Sequence, residues 1–195
     1  MRTLALAVFL MLAGCGPLVQ IGGNSKPPAV LLTLRAETGE AVATSGTPVL
    51  VTLPAVPGAL RTLRIPVTTR ATELAYLPDA NWIEQPNLLF QRLLGEVVQA
   101  RSGRPVVDER NVDVVAGLRL SGRLVEFGLD ARGGPKVHVR YDAILTSPVG
   151  GLIGSRRFEA GEPVASETGP DVARALNTAA NGVAQQVGDW IASAG

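Results

Sequence analysis

One cysteine, one histidine and a handful of aromatic residues (two Trp, two Tyr, four Phe) are all that 195 positions offer of the side chains behind most site chemistry. A lone cysteine forms no intramolecular disulfide and no multi-thiolate metal site, and a lone histidine supplies no two-histidine zinc site. An excess of one charge is lacking too. Against 18 Lys and Arg stand 17 Asp and Glu, so no net field draws the chain to nucleic acid or to an anionic membrane surface. There is no Gly-x-x-x-x-Gly-Lys-Ser/Thr run to cradle phosphates. No apolar stretch reaches the roughly 20 residues that span a hydrocarbon core. What is plentiful is apolar side chain, 46% of the sequence, enough for one core and one domain.

The N-terminus reads MRTLALAVFLMLAGC: one positive charge at Arg2, an apolar run from Leu4 to Leu12, then small residues. This is the pattern of a secretory signal and not of a fold element. Its end, Leu12-Ala13-Gly14-Cys15, resembles the lipobox of bacterial lipoproteins, in which the chain is cut before the cysteine and the thiol is diacylated. The only cysteine of the protein occupies that slot. The expectation is a signal peptide over residues 1–14 and a lipidated Cys15. Three acyl chains hold far better than one, since each buried methylene is worth about 0.8 kcal/mol. Cleavage removes Arg2 and leaves a neutral mature chain. The resemblance to sorted lipoproteins implies outer-membrane delivery on the periplasmic face, because Gly16 stands where an Asp would signal retention in the inner membrane; the inner membrane is the alternative. Residues 15–28, rich in Gly, Pro, Asn and Ser after the cysteine, suit a tether, and 29–195 form the expected domain.

Along that domain the pattern alternates between strand and helix. Extended segments are expected at Ala29–Arg35, Val49–Leu53, Leu63–Thr69 and Thr72–Leu77, with Pro66 marking an edge or a bulge. Phe90, Leu93, Leu94, Val97 and Val98 recur at helical spacing between Pro86 and Arg101, and Gly103 with Pro105 closes that helix. Leu118, Leu120 and Leu124 alternate with polar residues, then the apolar phase slips to Val125, Phe127 and Leu129; a one-residue slip predicts a bulge near Leu124. Asp130 to Pro135 is a turn, Val137 to Asp142 the partner strand of a hairpin, and Ser155 to Ala160 a further strand. From Val172 to Ile191 a single apolar stripe that includes Leu176 and Trp190 predicts a long helix buried through that stripe, started by the Thr168 hydroxyl, Pro170 and Asp171. Strands, helix, strands, helix give a single α/β domain with a mixed β-sheet.

Candidate chemistry is sparse. His138 alternates with Arg140 on the wet face of its strand, without a nucleophile or base arranged around it, and reads as a surface residue. Asp108 and Glu109 sit in a polar loop. Arg101, Arg104 and Arg110, and Arg156 with Arg157, read as solvated faces with an acidic partner or lipid headgroups as the alternative. Trp82 is either a staple at the entry of the first helix or an interface aromatic.

Three stretches carry a family resemblance: Trp82-Ile83-Glu84-Gln85-Pro86 before the first helix, Arg157-Phe158-Glu159-Ala160 running into Pro163-Val164, and the last helix from Val172 through Trp190. Together with the lipobox they resemble the auxiliary lipoprotein component of ABC-type transporters, the lipoprotein partner of MCE-domain, paraquat-inducible-type systems. The family usually has Trp-Ala-Glu-Pro where this chain has Ile83 and an added Gln85. The resemblance implies a fold similar to the anticodon-binding-like and TolB N-terminal domains. It implies no catalysis and no cofactor, and, as partners, an MCE-domain substrate-binding protein and an inner-membrane permease and ATPase that move lipids or other hydrophobic compounds across the envelope. It leaves self-association open. A structural or assembly lipoprotein of the outer membrane, without a transporter, is the rival reading. Tyr76, Trp82 and Ile83 are the expected contact residues, since Trp and Tyr make rigid interface anchors.

Overall fold

The computed structural model describes residues 30–39, 44–109 and 115–194. The signal sequence, Cys15, the tether and Arg110 lie outside the described residues. In chain order the elements are β1 (Leu31–Leu32), β2 (Val49–Val51), a 3-10 turn at Gly58–Leu60, β3 (Arg64–Arg70), β4 (Glu73–Trp82), α1 (Pro86–Ser102), β5 (Val106–Val107), β6 (Leu118–Asp130), β7 (Lys136–Thr146), β8 (Leu152–Pro163) and α2 (Gly169–Ser193). The strands form one mixed eight-stranded sheet, and the expectation of a single α/β domain with packed helices holds.

β6 organises the sheet. Along one side it carries β7 antiparallel over its whole length, and β8 follows β7 as an outer strand. Along its other side it is shared: β2 pairs parallel with its first residues, Val49 opposite Leu118, and β3 pairs parallel with its last, Val67 opposite Leu129. β5 extends the β2 wing; β4 and then β1 extend the β3 wing. The bulge expected near Leu124 is present, with the register shifting between Leu124 and Glu126. It lets Leu120 and Leu124 before it, and Phe127 and Leu129 after it, all reach the core.

Of the two alternatives for Pro66, the bulge holds: β3 lies between β4 and β6, and Pro66 sits where the β3–β4 register shifts, so the missing N–H falls on a bulge. One expectation needs correction. β4 does not end at Leu77. Pro78 and Asp79 loop out within it, Asp79 taking φ 51°, and pairing resumes at Asn81 opposite Arg64. Asp tolerates that left-handed conformation better than most residues.

Both helices lie on one face of the sheet and against each other. Gly188 makes their close approach feasible: a Cβ there would stand 2.6 Å from Cβ of Arg101. The last helix buries Val172, Leu176, Ala179, Ala180, Val183, Val187 and Ile191, as the stripe predicts. Trp190 is half-buried at the rim instead of in the core. The Thr168 hydroxyl makes no capping bond to the helix; it pairs with Ser166 Oγ at 3.1 Å, and Ser166 in turn donates to Asp171 at 2.5 Å. Aromatic pairs brace the core, one within the sheet and two between helix and sheet. Trp82 meets Phe127 at 5.6 Å, Phe90 meets Tyr141 at 5.4 Å and Phe158 meets Trp190 at 5.5 Å between centroids, all tilted.

Candidate docking surface

The three residues expected to form a contact site part company in the structure. Trp82 is 0% exposed and its backbone N–H donates to Leu63 O at 2.7 Å, so the indole is a piece of the core stacked on Phe127 and no partner can touch it. Of the two readings of this side chain, the interface aromatic is overturned by burial, and the ring that Trp82 meets is Phe127 of β6. Tyr76 is half-buried, its ring covered by the Arg64 guanidinium at 4.5 Å and its hydroxyl 3.4 Å from Ala59 O. Ile83 is 52% exposed, next to a buried tryptophan by simple strand alternation.

Ile83 is not alone. Its N–H donates to Leu32 O at 2.8 Å, and β1 runs parallel to β4 with Leu31 opposite Asn81, which puts Leu31 and Ile83 on the same face. Leu31 is 51% and Val30 63% exposed, so an apolar surface forms where the described chain begins. A clasp of two asparagines holds the chain just beyond it against α2. Asn181, fully buried, donates to Arg35 O at 2.9 Å and accepts from Glu37 N–H at 2.7 Å, while Asn177 accepts from Arg35 N–H at 2.8 Å and donates to Glu37 Oε1. Nothing in helical periodicity singles out these asparagines; only the odd polar residue in an otherwise apolar stripe could have signalled Asn181.

The sheet face away from the helices is charged in rows. Arg123, Asp142 and Arg157 stand side by side on β6, β7 and β8; one position along, so do Glu126, Arg140 and Glu159. Arg157 grips Asp142 with bonds of 2.7 and 3.0 Å, which holds the carboxyl below its usual range. Glu126 reaches Arg140 at 2.5 Å, and its second oxygen is 2.8 Å from Nδ1 of His138, an ion pair only when that ring is protonated. The lone histidine thus shares the polar face with Arg140, as their alternation predicts, and lies beside the Glu126 carboxylate. A groove of about 260 Å³ lies beside this face, floored by Leu60, Pro66, Leu74 and Phe127 and rimmed by Asp130 and His138. Arg132 donates to Asp130 at 2.9 and 2.7 Å and lowers its pKa to about 2. Arg101 binds Asp189 of α2 in the same two-pronged way, which removes it from the expected basic cluster. Among the described residues no group of three or more His, Cys, Asp or Glu side chains gathers as a metal site, and no helix is long and apolar enough to cross a membrane.

The family model for the ABC-type transport auxiliary lipoprotein component matches residues 31–188. The chain belongs to this family. The match spans the whole sheet and nearly all of α2, and it carries the coarse statement of role: an auxiliary lipoprotein of an ABC-type transport system, anchored in the cell envelope. Among solved structures, the Xanthomonas campestris protein XCC0632, of the family DUF330, is similar with a TM-score of 0.69 at 20% identity, over 85% of this chain and 95% of that one. A second, uncharacterized protein is similar with a TM-score of 0.62 at 16% identity, over 84% and 98%. At those identities the likeness establishes the fold. No curated protein matches this auxiliary lipoprotein significantly.

Proposed function

We propose that this auxiliary lipoprotein is a non-catalytic, Cys15-anchored component of an MCE-domain transport system. It sits on the periplasmic face of the outer membrane and docks onto the MCE-domain substrate-binding protein while an inner-membrane permease and ATPase drive lipids or other hydrophobic compounds across the envelope. The observation that carries the reading is the family match over residues 31–188. One feature of the surface supports it. The exposed side chains of Leu31 and Ile83 share a face where the described chain begins, an apolar surface of the kind proteins keep for partners. Ile83 and Tyr76 are the proposed contacts, with Trp82 supporting Ile83 from beneath.

Co-expression of the full chain with the MCE-domain protein of the same transport system, followed by affinity purification of either, is expected to recover both. Recovery of the lipoprotein alone would favour the rival reading, an assembly lipoprotein of the outer membrane. Labelling with a fatty-acid analogue should be lost in Cys15→Ser; unchanged labelling there would remove the anchor from the account. Density-gradient fractionation should place the protein with outer-membrane markers, and co-migration with inner-membrane markers would overturn the sorting expected from Gly16.

A further inference from the structure

β8 is an outer strand of the sheet, 12 residues long, with β7 as its only neighbour strand among the described residues. A long strand with a free edge is a template for pairing with another chain, and proteins commonly blunt such edges with charges, bulges or an internal proline. β8 has neither a bulge nor a proline over its middle, and the charges it does carry, Arg156, Arg157, Glu159 and Glu162, are of both signs and so do not repel every strand. Its pairing with β7 runs unbroken from Lys136–Pro163 to Leu145–Gly154, its single proline is the last residue, and its charges alternate in sign, Arg157 then Glu159. The Glu159 carbonyl accepts a long bond of 3.4 Å from the Gln186 side chain of α2.

A strand that pairs antiparallel with its own copy about a two-fold axis matches residues whose numbers have a constant sum, and both partners must lie on the same face. Each candidate register can therefore be tested for charge. Centring the axis on Arg157 sets that arginine against itself, and centring it on Glu159 sets two glutamates together; like charges directly opposite are destabilising. Centring it on Phe158 sets Arg157 opposite Glu159 of the second copy, twice by symmetry, and overlaps residues 153–163. The complementarity extends inward through rows already present in each copy. Arg123, Asp142 and Arg157 of one copy would continue into Glu159, Arg140 and Glu126 of the other, an unbroken alternation of sign over six strands. On the helix face the same axis brings together the two Phe158 side chains, each stacked on its own half-buried Trp190.

We propose that two copies of this chain associate edge to edge through β8, antiparallel about Phe158, into one continuous sheet. A second copy fits this edge because the charge pattern of β8 and the rows behind it is complementary to its own inverted order.

The test uses the full lipidated chain in detergent and sedimentation analysis corrected for bound detergent. The native chain is expected to sediment as a dimer. Glu159→Arg places two arginines opposite each other across the axis, and Arg157→Glu places two glutamates there, so each variant alone should be monomeric. Mixed, the two variants restore opposite charges at both positions and should form a heterodimer. Far-ultraviolet circular dichroism and the unfolding midpoint of each variant report whether it has folded. A monomeric native chain, native dimers that persist in both single variants, or folded variants whose mixture stays monomeric would each overturn the proposal.

Discussion

A buried asparagine is costly unless its donors and acceptor are all met, and Asn181 meets them with backbone groups of Arg35 and Glu37, 146 and 144 positions away. Asn181→Leu keeps the branched shape of the side chain and orphans both backbone groups, so urea unfolding is expected to show a loss of about 1–3 kcal/mol. An unchanged midpoint would mean that the segment after β1 contributes nothing to the fold. Trp82 shows why a residue's identity alone misleads about its role. A tryptophan in a Pro-bounded segment of an aromatic-poor chain suggests an interface, yet strand alternation sends it inward onto Phe127 and its neighbour Ile83 outward. The few aromatics are packing residues, since every described one except Tyr76 belongs to one of three ring pairs, two of which join helix to sheet. Asp130 supplies a pH signature. Its folded pKa of about 2 lies below the ordinary value near 4, so the Arg132 pair stabilises the fold above that ordinary value and its contribution disappears as pH falls toward 2. The difference in unfolding midpoint between native chain and Asp130→Asn should shrink over that acid range, and modestly, because the pair is near the surface. A difference independent of pH would contradict the assignment.

The bounds of α1 are readable to within a residue because periodicity and end signals agree, with Pro86 beginning it and Gly103 ending it at φ 66°; α2, with Pro170 in its first turn, runs two residues past the end of its apolar stripe, where no stop signal stands. Strand ends were less readable, and the reasons are physical. β4 is interrupted by a Pro-Asp bulge and resumes, while β1 shrinks to Leu31–Leu32 because the chain beyond it leaves β4 for the asparagine clasp on α2. Leu176, fully buried in the α2 stripe, predicts a loss of about 2–5 kcal/mol on Leu176→Ala. A midpoint shift near zero would mean that the stripe does not carry the packing of α2. The crossing of α1 and α2 rests on a missing side chain. Gly188→Val would drive a branched group into Arg101 and the backbone of Val98, and it is expected to cost about 1–3 kcal/mol while leaving the helical signal in circular dichroism intact.

For the whole molecule, fold class and family follow from residues spread along the chain, whereas a docking surface is a property of juxtaposition. Ile83 belongs to an apolar patch only because β1 brings Leu31 alongside it, and the alternating charge rows exist only because β6, β7 and β8 pair in one register. Neither arrangement has a local sequence signal. The family role in ABC-type transport and the exposed apolar surface of Leu31 and Ile83 fit the proposal that this lipoprotein works by binding. The most direct measurement is a titration of the purified full chain with the proposed MCE-domain partner. The native chain should bind saturably, and Ile83→Asp, which alters an exposed side chain, should weaken binding by roughly tenfold or more while the unfolding midpoint stays put. No binding by the native chain, or equal binding by the folded Ile83→Asp variant, would contradict the claim for the partner in the first case and for the surface in the second.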